Sequence, residues 1–327
     1  MTSRTLRAGI PALLLIVFLG GCAPSPGAAP SSEPGASTGF PVQLENCGTE
    51  LEIAAPPERV LAIKSTSTEM LLALGLEDRI VATAFPDGPV PEQWRERADG
   101  LVVISERLPG QESVLELAPD FIYAGWESNV TAEGVGERDS LAQLGIGTYV
   151  APAACTGPER PDRLTFEDVF DSIEEVAQIF DVSDRAAQLI ADQRARLEAV
   201  APSELGLRAL WYSSGSDTPF VGGGTGAPQM IMDAVGLENI AADIPEPWGS
   251  LSWEAAVAAD PDVIVLVDSA WGSAEKKKSV LASHPAASSM RAVAEGRYLV
   301  VPFPAGEAGV RNVDAVETLR AQIDDLP

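Results

Sequence analysis

Apolar residues along the chain fall into short runs, separated by longer stretches that have a helical period. The run Val60–Ile63 is followed by a stretch with helical spacing and then by a second run, Ile80–Ala82. Because short apolar runs are typical of buried strands, this order predicts a strand, a helix and a second, parallel strand. Thr66 and Glu69 have the spacing of a capping box at the start of that helix, and Gly75 is suited to the left-handed conformation that ends it.

Two longer helical patterns occupy the middle of the chain, at residues 164–180 and 183–200. Apolar residues in both recur every three or four positions, which is the period of a helix with one buried face. Ser183 is a suitable N-cap residue for the second helix. A helix of that length is able to brace one lobe of a protein against another.

One segment of the chain, Glu112–Trp126, has a near-copy at Glu254–Trp271. Each copy begins with glutamate, continues through Pro-Asp to an apolar run and ends at tryptophan. Since proline cannot continue a helix, each copy predicts a helix, a turn and then a strand, at Phe121–Ala124 and Val263–Val267. The stretches "LGLEDRIVA" and "VGLENIAA" form a second matched pair, but the distance between the two motifs differs in the two halves. This excludes a tandem solenoid and indicates two related α/β lobes.

The N-terminus has the pattern of an export signal. Arg4 and Arg7 precede an apolar run at 10–19, and "LGGC" follows, ending at Cys22. This tetrapeptide resembles a bacterial lipobox, in which the cysteine becomes the lipidated N-terminus; the alternative is an ordinary signal peptide with a chance cysteine. Residues 23–39 are mostly Ala, Pro, Ser and Gly and read as a flexible tether. We therefore expect a lipid-anchored protein on the extracytoplasmic face of a bacterial cell membrane.

Charge and cysteine content limit the function further. The net charge of −26 argues against nucleic acid and against adhesion to anionic lipid, whose phosphates would be repelled. Two cysteines, Cys47 and Cys155, remain after Cys22 is assigned. In an exported protein they are expected to pair, although two unpaired buried thiols are the alternative.

Motifs for catalysis are weak. His284 is the single histidine, and the G-x-S-x-G match "GASTG" at 35–39 lies in the predicted tether and not between a strand and a helix, so neither a Ser-His-Asp triad nor a multi-histidine metal site is supported. The stretch "GGGTG" at 222–226 lacks the lysine of a phosphate-binding loop. We interpret it as a tight turn before a helix at Ala227, or alternatively as a set of N–H groups that face an anionic ligand. We therefore expect neither an enzyme nor a resident cofactor or metal.

Ligand-binding candidates follow the strands, because open α/β folds bind ligands at the carboxyl edges of their parallel strands. The predicted ligand-binding residues are Lys64, Ser65, Trp126, Glu127, Tyr212, Ser213, Trp248, Trp271, Phe303, Glu307 and Arg311. Aromatic rings with a few charges suit one large, flat, polar ligand.

The charges in this set predict an anionic ligand. Lys64 and Arg311 would be its cationic partners, with the indoles of Trp126 and Trp271 holding the flat part. The alternative is that the two basic residues pair with Glu127 and Glu307.

From Cys47 to the C-terminus, the chain resembles the ABC-importer substrate-binding proteins for ferric siderophores, cobalamin and haem. The resemblance is carried by "RVLAIKSTSTEMLLALG", "ESVLELAPDFIYA", the helix from Ser183, "FVGGGTGAPQMIMDAVGLENIA" and "WEAAVAADPDVIVL". It implies two Rossmann-like α/β lobes with parallel sheets, one rigid helix that joins them and a ligand cleft between them. It also implies a monomer that delivers its ligand to a permease dimer with an ATPase, and that docks through one glutamate on each lobe, Glu112 and Glu254.

The predicted organisation is a signal peptide at 1–21, a tether at 22–39, a first lobe at 40–182, a bridging helix at 183–201 and a second lobe at 202–327. The stretches "ALWYSSGSDTPF", "DSAWGSAEKKKSVL" and "VVPFPAGEAGVRNVDAV" resemble a subgroup proposed to bind a phosphorylated deazaflavin, the precursor of coenzyme F-420. Siderophore iron and corrinoids are the alternative ligands. A lipid-anchored adhesion or scaffold protein without a small ligand is the alternative of another class.

Overall fold

The structure is a computed structural model, and it describes residues 39–158 and 160–326. The predicted signal peptide, Cys22 and nearly all of the predicted tether lie outside these residues. Among the helices of the described ranges, we find none with the length and apolar character needed to cross a membrane.

The strands are β1 (Val42–Asn46), β2 (Thr49–Ile53), β3 (Val60–Ile63), β4 (Ile80–Ala84), β5 (Val103–Ser105), β6 (Phe121–Ala124), β7 (Gly147–Val150), β8 (Leu207–Ser214), β9 (Phe220–Gly222), β10 (Leu237–Asn239), β11 (Trp248–Ser250), β12 (Val263–Asp268) and β13 (Tyr298–Pro302). The α-helices are α1 (Ser65–Ala73), α2 (Arg95–Ala98), α3 (Gln111–Glu116), α4 (Arg138–Gln143), α5 (Phe166–Phe180), α6 (Ser183–Ala199), α7 (Ala227–Val235), α8 (Trp253–Ala259), α9 (Ala274–Ser283), α10 (Arg291–Ala294) and α11 (Asn312–Asp324).

The strands form one main sheet in each lobe. The first sheet has the order β5-β4-β3-β6-β7, and all of its pairings are parallel. The second has the order β11-β9-β8-β12-β13, in which β9 runs antiparallel to both of its neighbours and β10 pairs with β8 off this path. The hairpin of β1 and β2 stands apart from both. The predicted α/β fold with two parallel-type sheets is confirmed.

The repeated segment is tied to its own sheet by an Arg–Asp clamp, defined here as an aspartate and an arginine that exchange hydrogen bonds. In the first lobe, the Asp120 carboxylate accepts from the backbone N–H groups of Glu58 and Arg59, each at 2.9 Å. The Arg59 guanidinium donates in return to the carbonyls of Leu117 at 2.7 Å and Ala118 at 2.9 Å, which end α3. The clamp therefore joins the end of the helix to the start of the central strand β3.

The second lobe has the same clamp. The Asp262 carboxylate accepts from the backbone N–H of Arg208 at 2.8 Å, and the Arg208 guanidinium donates to the carbonyl of Ala259 at the end of α8. Arg208 lies in β8, the central strand of the second sheet. The Pro-Asp dipeptide of each copy thus has a structural role, because its aspartate fixes the turn between helix and strand.

The helix α6 contacts both lobes through its two ends. The Arg185 guanidinium donates to the carbonyls of Leu74 and Gly75 in the first lobe, at 2.9 and 2.6 Å. Near the other end, the Arg196 guanidinium contacts the Asp314 carboxylate of α11 at 2.5 Å. The largest apolar cluster continues alongside, from the first sheet through α5 to α7 and α11. This arrangement fits a bridging role for α6, whereas the domain boundaries remain predictions.

The predicted capping box of the first helix is wrong. Helix α1 begins at Ser65, its N-cap residue Lys64 makes no side-chain cap, and the first N–H group donates to the Asp87 carboxylate instead. The Glu69 carboxylate is directed to Arg311 of the other lobe, at 3.2 Å, and so it does not return to the helix start. Gly75 has the expected left-handed conformation, with φ of 68°.

The predicted N-cap of α6 is displaced by one residue, because Ser183 is already helical and Val182 occupies the N-cap position. The capping box of this region lies one helix earlier, at the start of α5. There the backbone N–H of Asp168 donates to the Thr165 hydroxyl at 3.2 Å, and that of Thr165 donates to the Asp168 carboxylate at 2.7 Å. The sequence signal was present in "TFED".

Candidate ligand cleft

Two cavities lie between the lobes, at the carboxyl edges of the two sheets. The aromatic chamber is a cavity of about 550 Å³, whose ring-bearing wall is formed by Trp126, Phe220, Trp248, Trp271 and Phe303. The proline chamber is a cavity of about 650 Å³, whose lining includes Pro86, Pro89, Pro91, Pro302 and Pro304. Both are lined from both lobes, as expected for ligand binding at the strand ends.

Phe303 is the centre of the aromatic wall. Its ring lies 4.7 Å from that of Trp271 in an edge-to-face arrangement, and 6.1 Å from that of Trp248 in a stacked one. Phe220 stacks on the other side of Trp248 at 6.3 Å, and Trp126 reaches Phe303 from the first lobe at 6.4 Å. Trp271 is 46% exposed, so this indole has surface left to contact a ligand.

A buried ion pair lies beside the aromatic wall, and its carboxylate lines the proline chamber. The Lys64 ammonium contacts the Asp87 carboxylate, and both side chains are essentially inaccessible to solvent. The Asp87 carboxylate also accepts from the backbone N–H of Ser65 at 3.1 Å, while its backbone carbonyl accepts from Ala270 of the second lobe at 3.0 Å. Burial lowers the pKa of the Lys64 ammonium, and the neighbouring carboxylate opposes that shift. The Lys64 ammonium lies 3.7 Å from the centre of a Trp126 ring.

Arg311 is engaged in a second ion pair, which joins the two lobes. Its guanidinium lies 3.2 Å from the Glu69 carboxylate, which is 2% exposed. Burial raises the pKa of Glu69 to about 7, although Arg311 acts in the opposite direction. Arg311 lines the proline chamber and not the aromatic one.

These pairs correct the expectation for the two basic residues. Lys64 and Arg311 are paired with Asp87 and Glu69, and neither lines the aromatic chamber as a cation directed at a ligand. Their partners are also not the ones that the sequence suggested as an alternative. Asp87 lies in the loop after β4, and Glu69 lies in α1 on the lobe opposite Arg311, so neither pairing follows from the local sequence.

Glu307 does line the aromatic chamber. Its carboxylate accepts from the indole N–H of Trp126 across the lobes, at 3.0 Å. Burial raises the pKa of Glu307 to about 7; the Trp126 hydrogen bond opposes the shift and the charge of Asp87 adds to it. Ser213 also lines this chamber, so five of the predicted residues besides Glu307 converge there: Trp126, Ser213, Trp248, Trp271 and Phe303.

Three other predicted residues lie elsewhere. Tyr212 is buried behind the cleft, where its hydroxyl donates to the carbonyl of Gly215 at 2.7 Å, because side chains alternate along β8 and only its neighbour faces the cavity. Glu127 does not line the aromatic chamber, since its carboxylate accepts from the backbone N–H of Thr156 at 2.6 Å. Ser65 lines the proline chamber.

Sequence reasoning missed several lining residues. Arg160 and Glu246 form an ion pair at 2.7 Å at the chamber, and Phe220 adds a ring. Arg160 lies in the loop "TGPERPDR", which has no period from which a position is predictable. The strand-end rule could have identified Asp87, because this residue lies three positions after the end of β4.

The disulfide between Cys47 and Cys155 is present, with an S–S distance of 1.99 Å and Cα atoms 5.2 Å apart. Cys47 lies in the turn between β1 and β2, and Cys155 lines the aromatic chamber. The bond therefore attaches the outer hairpin to the loop that closes one side of the chamber.

The glycine-rich stretch is a tight packing element. A Cβ at Gly224 would lie 2.0 Å from the carbonyl oxygen of Ala242, so only glycine fits. The N–H groups of Gly223 and Gly224 donate to the carbonyls of Pro247 and Ile244, each at 2.9 Å. These two groups are therefore occupied within the chain, which removes the alternative that they face an anionic ligand.

Glu112 and Glu254 are exposed and occupy the first turns of α3 and α8. Helix α3 follows β5, and α8 follows β11, which runs parallel to β8. Because such helices begin at the edge where the preceding strand ended, both glutamates lie on the cleft side of their lobes.

Comparison with known proteins agrees with this architecture. The family model described as periplasmic binding protein matches residues 60–305, and the chain belongs to that family. The ABC transporter substrate-binding lipoprotein YvrC of Bacillus subtilis is 26% identical, over 97% of each chain. A vitamin B12-binding protein of Vibrio parahaemolyticus is 26% identical, over 64% of this chain and 70% of that one.

Solved structures extend the similarity. The ABC-type Fe³⁺-hydroxamate transport system protein of Saccharomonospora viridis has a TM-score of 0.75 at 25% identity, covering 87% of this chain and 99% of that one. A periplasmic binding protein of Veillonella parvula has a TM-score of 0.76 at 24% identity, covering 87% and 98%, which supports the fold. This is accordingly a solute-binding protein of the ABC-transport type and not an enzyme.

Proposed function

We propose that this protein is the lipid-anchored, extracytoplasmic solute-binding component of an ABC importer, and that it captures one large conjugated or chelated organic ligand in the aromatic chamber. The observation that carries the proposal is the wall of rings contributed by both lobes: Trp126, Phe220, Trp248, Trp271 and Phe303. A ligand that stacks on these rings holds the two lobes together, because the wall is shared between them.

The nature of the ligand follows from the size and lining of the chamber. Aromatic rings supply large contact areas with little loss of side-chain freedom, and hydroxyls such as those of Ser213 and Thr225 supply a few directional contacts. Relatives named for vitamin B12 and for Fe³⁺-hydroxamate support a corrinoid or a ferric siderophore. The deazaflavin ligand stays a prediction. Its ring would stack, but its phosphate would meet Arg160, which already pairs with Glu246.

Calorimetric titration of the purified protein tests this proposal. Cyanocobalamin, ferric desferrioxamine B, haemin and a phosphorylated deazaflavin form the panel, and we expect saturable binding of at least one of them. Trp248→Ala should weaken that binding by about ten-fold or more, whereas Leu205→Ala, at an exposed site far from the rings, should not. If no member of the panel binds, the proposal fails and an adhesion or scaffold protein without a small ligand becomes the favoured alternative.

We further propose that Glu112 and Glu254 are the permease-docking residues. Both are exposed carboxylates at matched positions of the repeated segment, on the cleft side of the two lobes. A partner made of two similar subunits needs two similar contact points, which gives the repetition a functional reason in addition to the clamp.

Charge reversal tests the docking proposal. Glu112→Lys and Glu254→Lys should each weaken binding to the permease in nanodiscs and reduce uptake, with ligand affinity unchanged. Glu116→Lys is the matched control, since Glu116 is exposed at the opposite end of α3. Loss of ligand affinity with intact docking would place these glutamates in the ligand site and contradict the proposal.

The lipid anchor is tested separately. Cys22→Ser should release the protein from the membrane fraction and abolish labelling by fatty acid, because the predicted acyl anchor is attached to that sulfur. Continued labelling of Cys22→Ser would show that "LGGC" is not a lipobox.

A further inference from the structure

We propose that the aromatic chamber selects a ligand that carries positive charge, as a cationic group or a cationic complex, over an anionic one. This inference rests on the proposed function and names the charge class of its ligand. It reverses the expectation from the sequence, which placed Lys64 and Arg311 against an anion.

The first support is the charge of the chamber wall. Among the described residues that line it, the charged side chains are Arg160, Glu246 and Glu307. Arg160 and Glu246 neutralise each other in an ion pair at 2.7 Å. The Glu307 carboxylate remains, and its side-chain hydrogen-bond donors are the neutral indoles of Trp126, at 3.0 Å, and Trp248. An anionic ligand would therefore face a carboxylate without a compensating cation.

The second support is that the basic residues nearest the chamber are already matched. The Lys64 ammonium is paired with Asp87, and the Arg311 guanidinium is paired with Glu69. Recruiting either one for a ligand would leave its buried carboxylate partner unpaired, which is costly. The two pairs therefore contribute no net charge that could balance an anion.

The third support is the ring surface itself. Aromatic faces carry partial negative charge and attract cations, and tryptophan does so most strongly. The rings at the centre of the cleft already accept one cation of the chain, since the Lys64 ammonium lies 3.7 Å from a Trp126 ring and 5.4 Å from a Trp271 ring. A wall of three tryptophans and two phenylalanines beside one carboxylate is thus suited to a positively charged ligand.

Glu307 also gives the preference a pH dependence. Burial and the charge of Asp87 raise the pKa of Glu307 to about 7. A ligand cation favours the ionised carboxylate, so its affinity should increase as the pH rises through that value. The other groups that face Glu307 are the indoles of Trp126 and Trp248, which do not titrate, and Lys64, which is paired with Asp87.

A series of acridines of one size but different charge tests the inference by fluorescence titration. The probes are N-methylacridinium, neutral acridine and an acridine carboxylate. At slightly alkaline pH we expect the cation to bind at least about five-fold more tightly than the neutral compound, and the anion to bind most weakly. Glu307→Gln should remove the advantage of the cation over the neutral probe. Glu133→Gln, at an exposed site on the first lobe, is the control.

The outcomes separate this inference from the proposed function. Equal or tighter binding of the anion, an unchanged preference in Glu307→Gln, or no binding of any of the three probes would overturn the charge preference. Such a result would leave the proposed function standing if a corrinoid or siderophore still bound to the wild-type protein. If the full ligand panel fails, the proposed function fails as well.

Discussion

The two lobes have the same frame and different ligand-facing edges. In both, the helix of the repeated segment ends in a left-handed residue before proline, with φ of 46° at Ala118 and 42° at Asp260. In both, the following aspartate holds the backbone N–H of an arginine at or next to the central strand. The repetition in the sequence is therefore a repeated way of joining helix to strand.

The edges differ in what they contribute to the cleft. The first lobe contributes the buried Lys64–Asp87 pair, whose members follow β3 and β4. It also contributes one ring of the aromatic wall, Trp126. The second lobe supplies the other four rings, from Phe220 to Phe303, and Glu307. We therefore expect the second lobe to determine the shape of the ligand and the first lobe to supply an internally neutralised face.

The largest expected effect on stability comes from the buried Lys64–Asp87 pair of the first lobe. Asp87→Ala leaves the Lys64 ammonium buried without its partner, and we expect a loss of about 3–5 kcal/mol in the free energy of unfolding, measured in urea. Ser213→Ala, in the central strand of the second lobe, should cost less than about 1 kcal/mol.

A double variant is the control for this prediction. Lys64→Met together with Asp87→Ala should recover part of the lost stability, since no buried charge then remains unpaired. A double variant that is no more stable than Asp87→Ala alone would show that the ion pair is not the reason for the loss.

The two clamps should behave alike. Asp120→Ala and Asp262→Ala each remove a carboxylate that accepts from the backbone N–H of the clamp arginine; Asp120 also accepts from that of Glu58, and Asp262 also contacts the Arg291 guanidinium. We expect each variant to lower the free energy of unfolding by about 1–3 kcal/mol. The exposed Asp243→Ala should change it by less than about 0.5 kcal/mol. A large effect at one clamp and none at the other would contradict a shared frame.

The frame was largely predictable from the sequence because local patterns specify it. The apolar runs at Val60–Ile63 and Phe121–Ala124 became strands with those bounds, and Gly75 ended its helix. The prediction for Thr66 and Glu69 failed because a long-range contact, from Glu69 to Arg311, took precedence over a local cap.

The cleft was only partly predictable. The strand-end rule found four of the five rings, since position after a strand depends on local sequence, but it missed Phe220. It gave no partner for Arg311, because Glu69 lies on the other lobe and meets Arg311 only through the packing of the two lobes. Alternation along β8 also turned Tyr212 away from the cavity, whereas the neighbouring Ser213 faces it.

The inter-lobe pair of Glu69 and Arg311 makes stability depend on pH. The pKa of Glu69 is raised from 4.5 to about 7 in the folded state, so the folded protein binds this proton more tightly than the unfolded chain. The stability from this group is fully present below the unfolded value and is lost as pH rises through about 7. Relative to Glu69→Gln, the wild type should lose at most about 1.4 kcal/mol per pH unit in that window. A constant difference would contradict the raised pKa.

The smallest effect concerns the turn that carries Trp271. The buried Lys277 ammonium donates to the carbonyls of Val267 at 2.6 Å and Gly272 at 2.5 Å. Lys277→Met should lower stability by about 1 kcal/mol and increase quenching of tryptophan fluorescence by acrylamide, because the turn loosens. Lys278→Met, which removes surface contacts to Glu275 and the Tyr298 ring, is the matched control; it should change stability by less than about 0.5 kcal/mol and leave the quenching unchanged.

We infer that the rings of the second lobe bind the ligand and that the matched glutamates on the two lobes do not. Calorimetric titration of one ligand from the panel against Trp248→Ala and against the double variant Glu112→Lys/Glu254→Lys tests it most directly. We predict that Trp248→Ala weakens binding about ten-fold or more and that the double variant binds like the wild type. Unchanged affinity in Trp248→Ala, or weakened affinity in the double variant, would contradict the account.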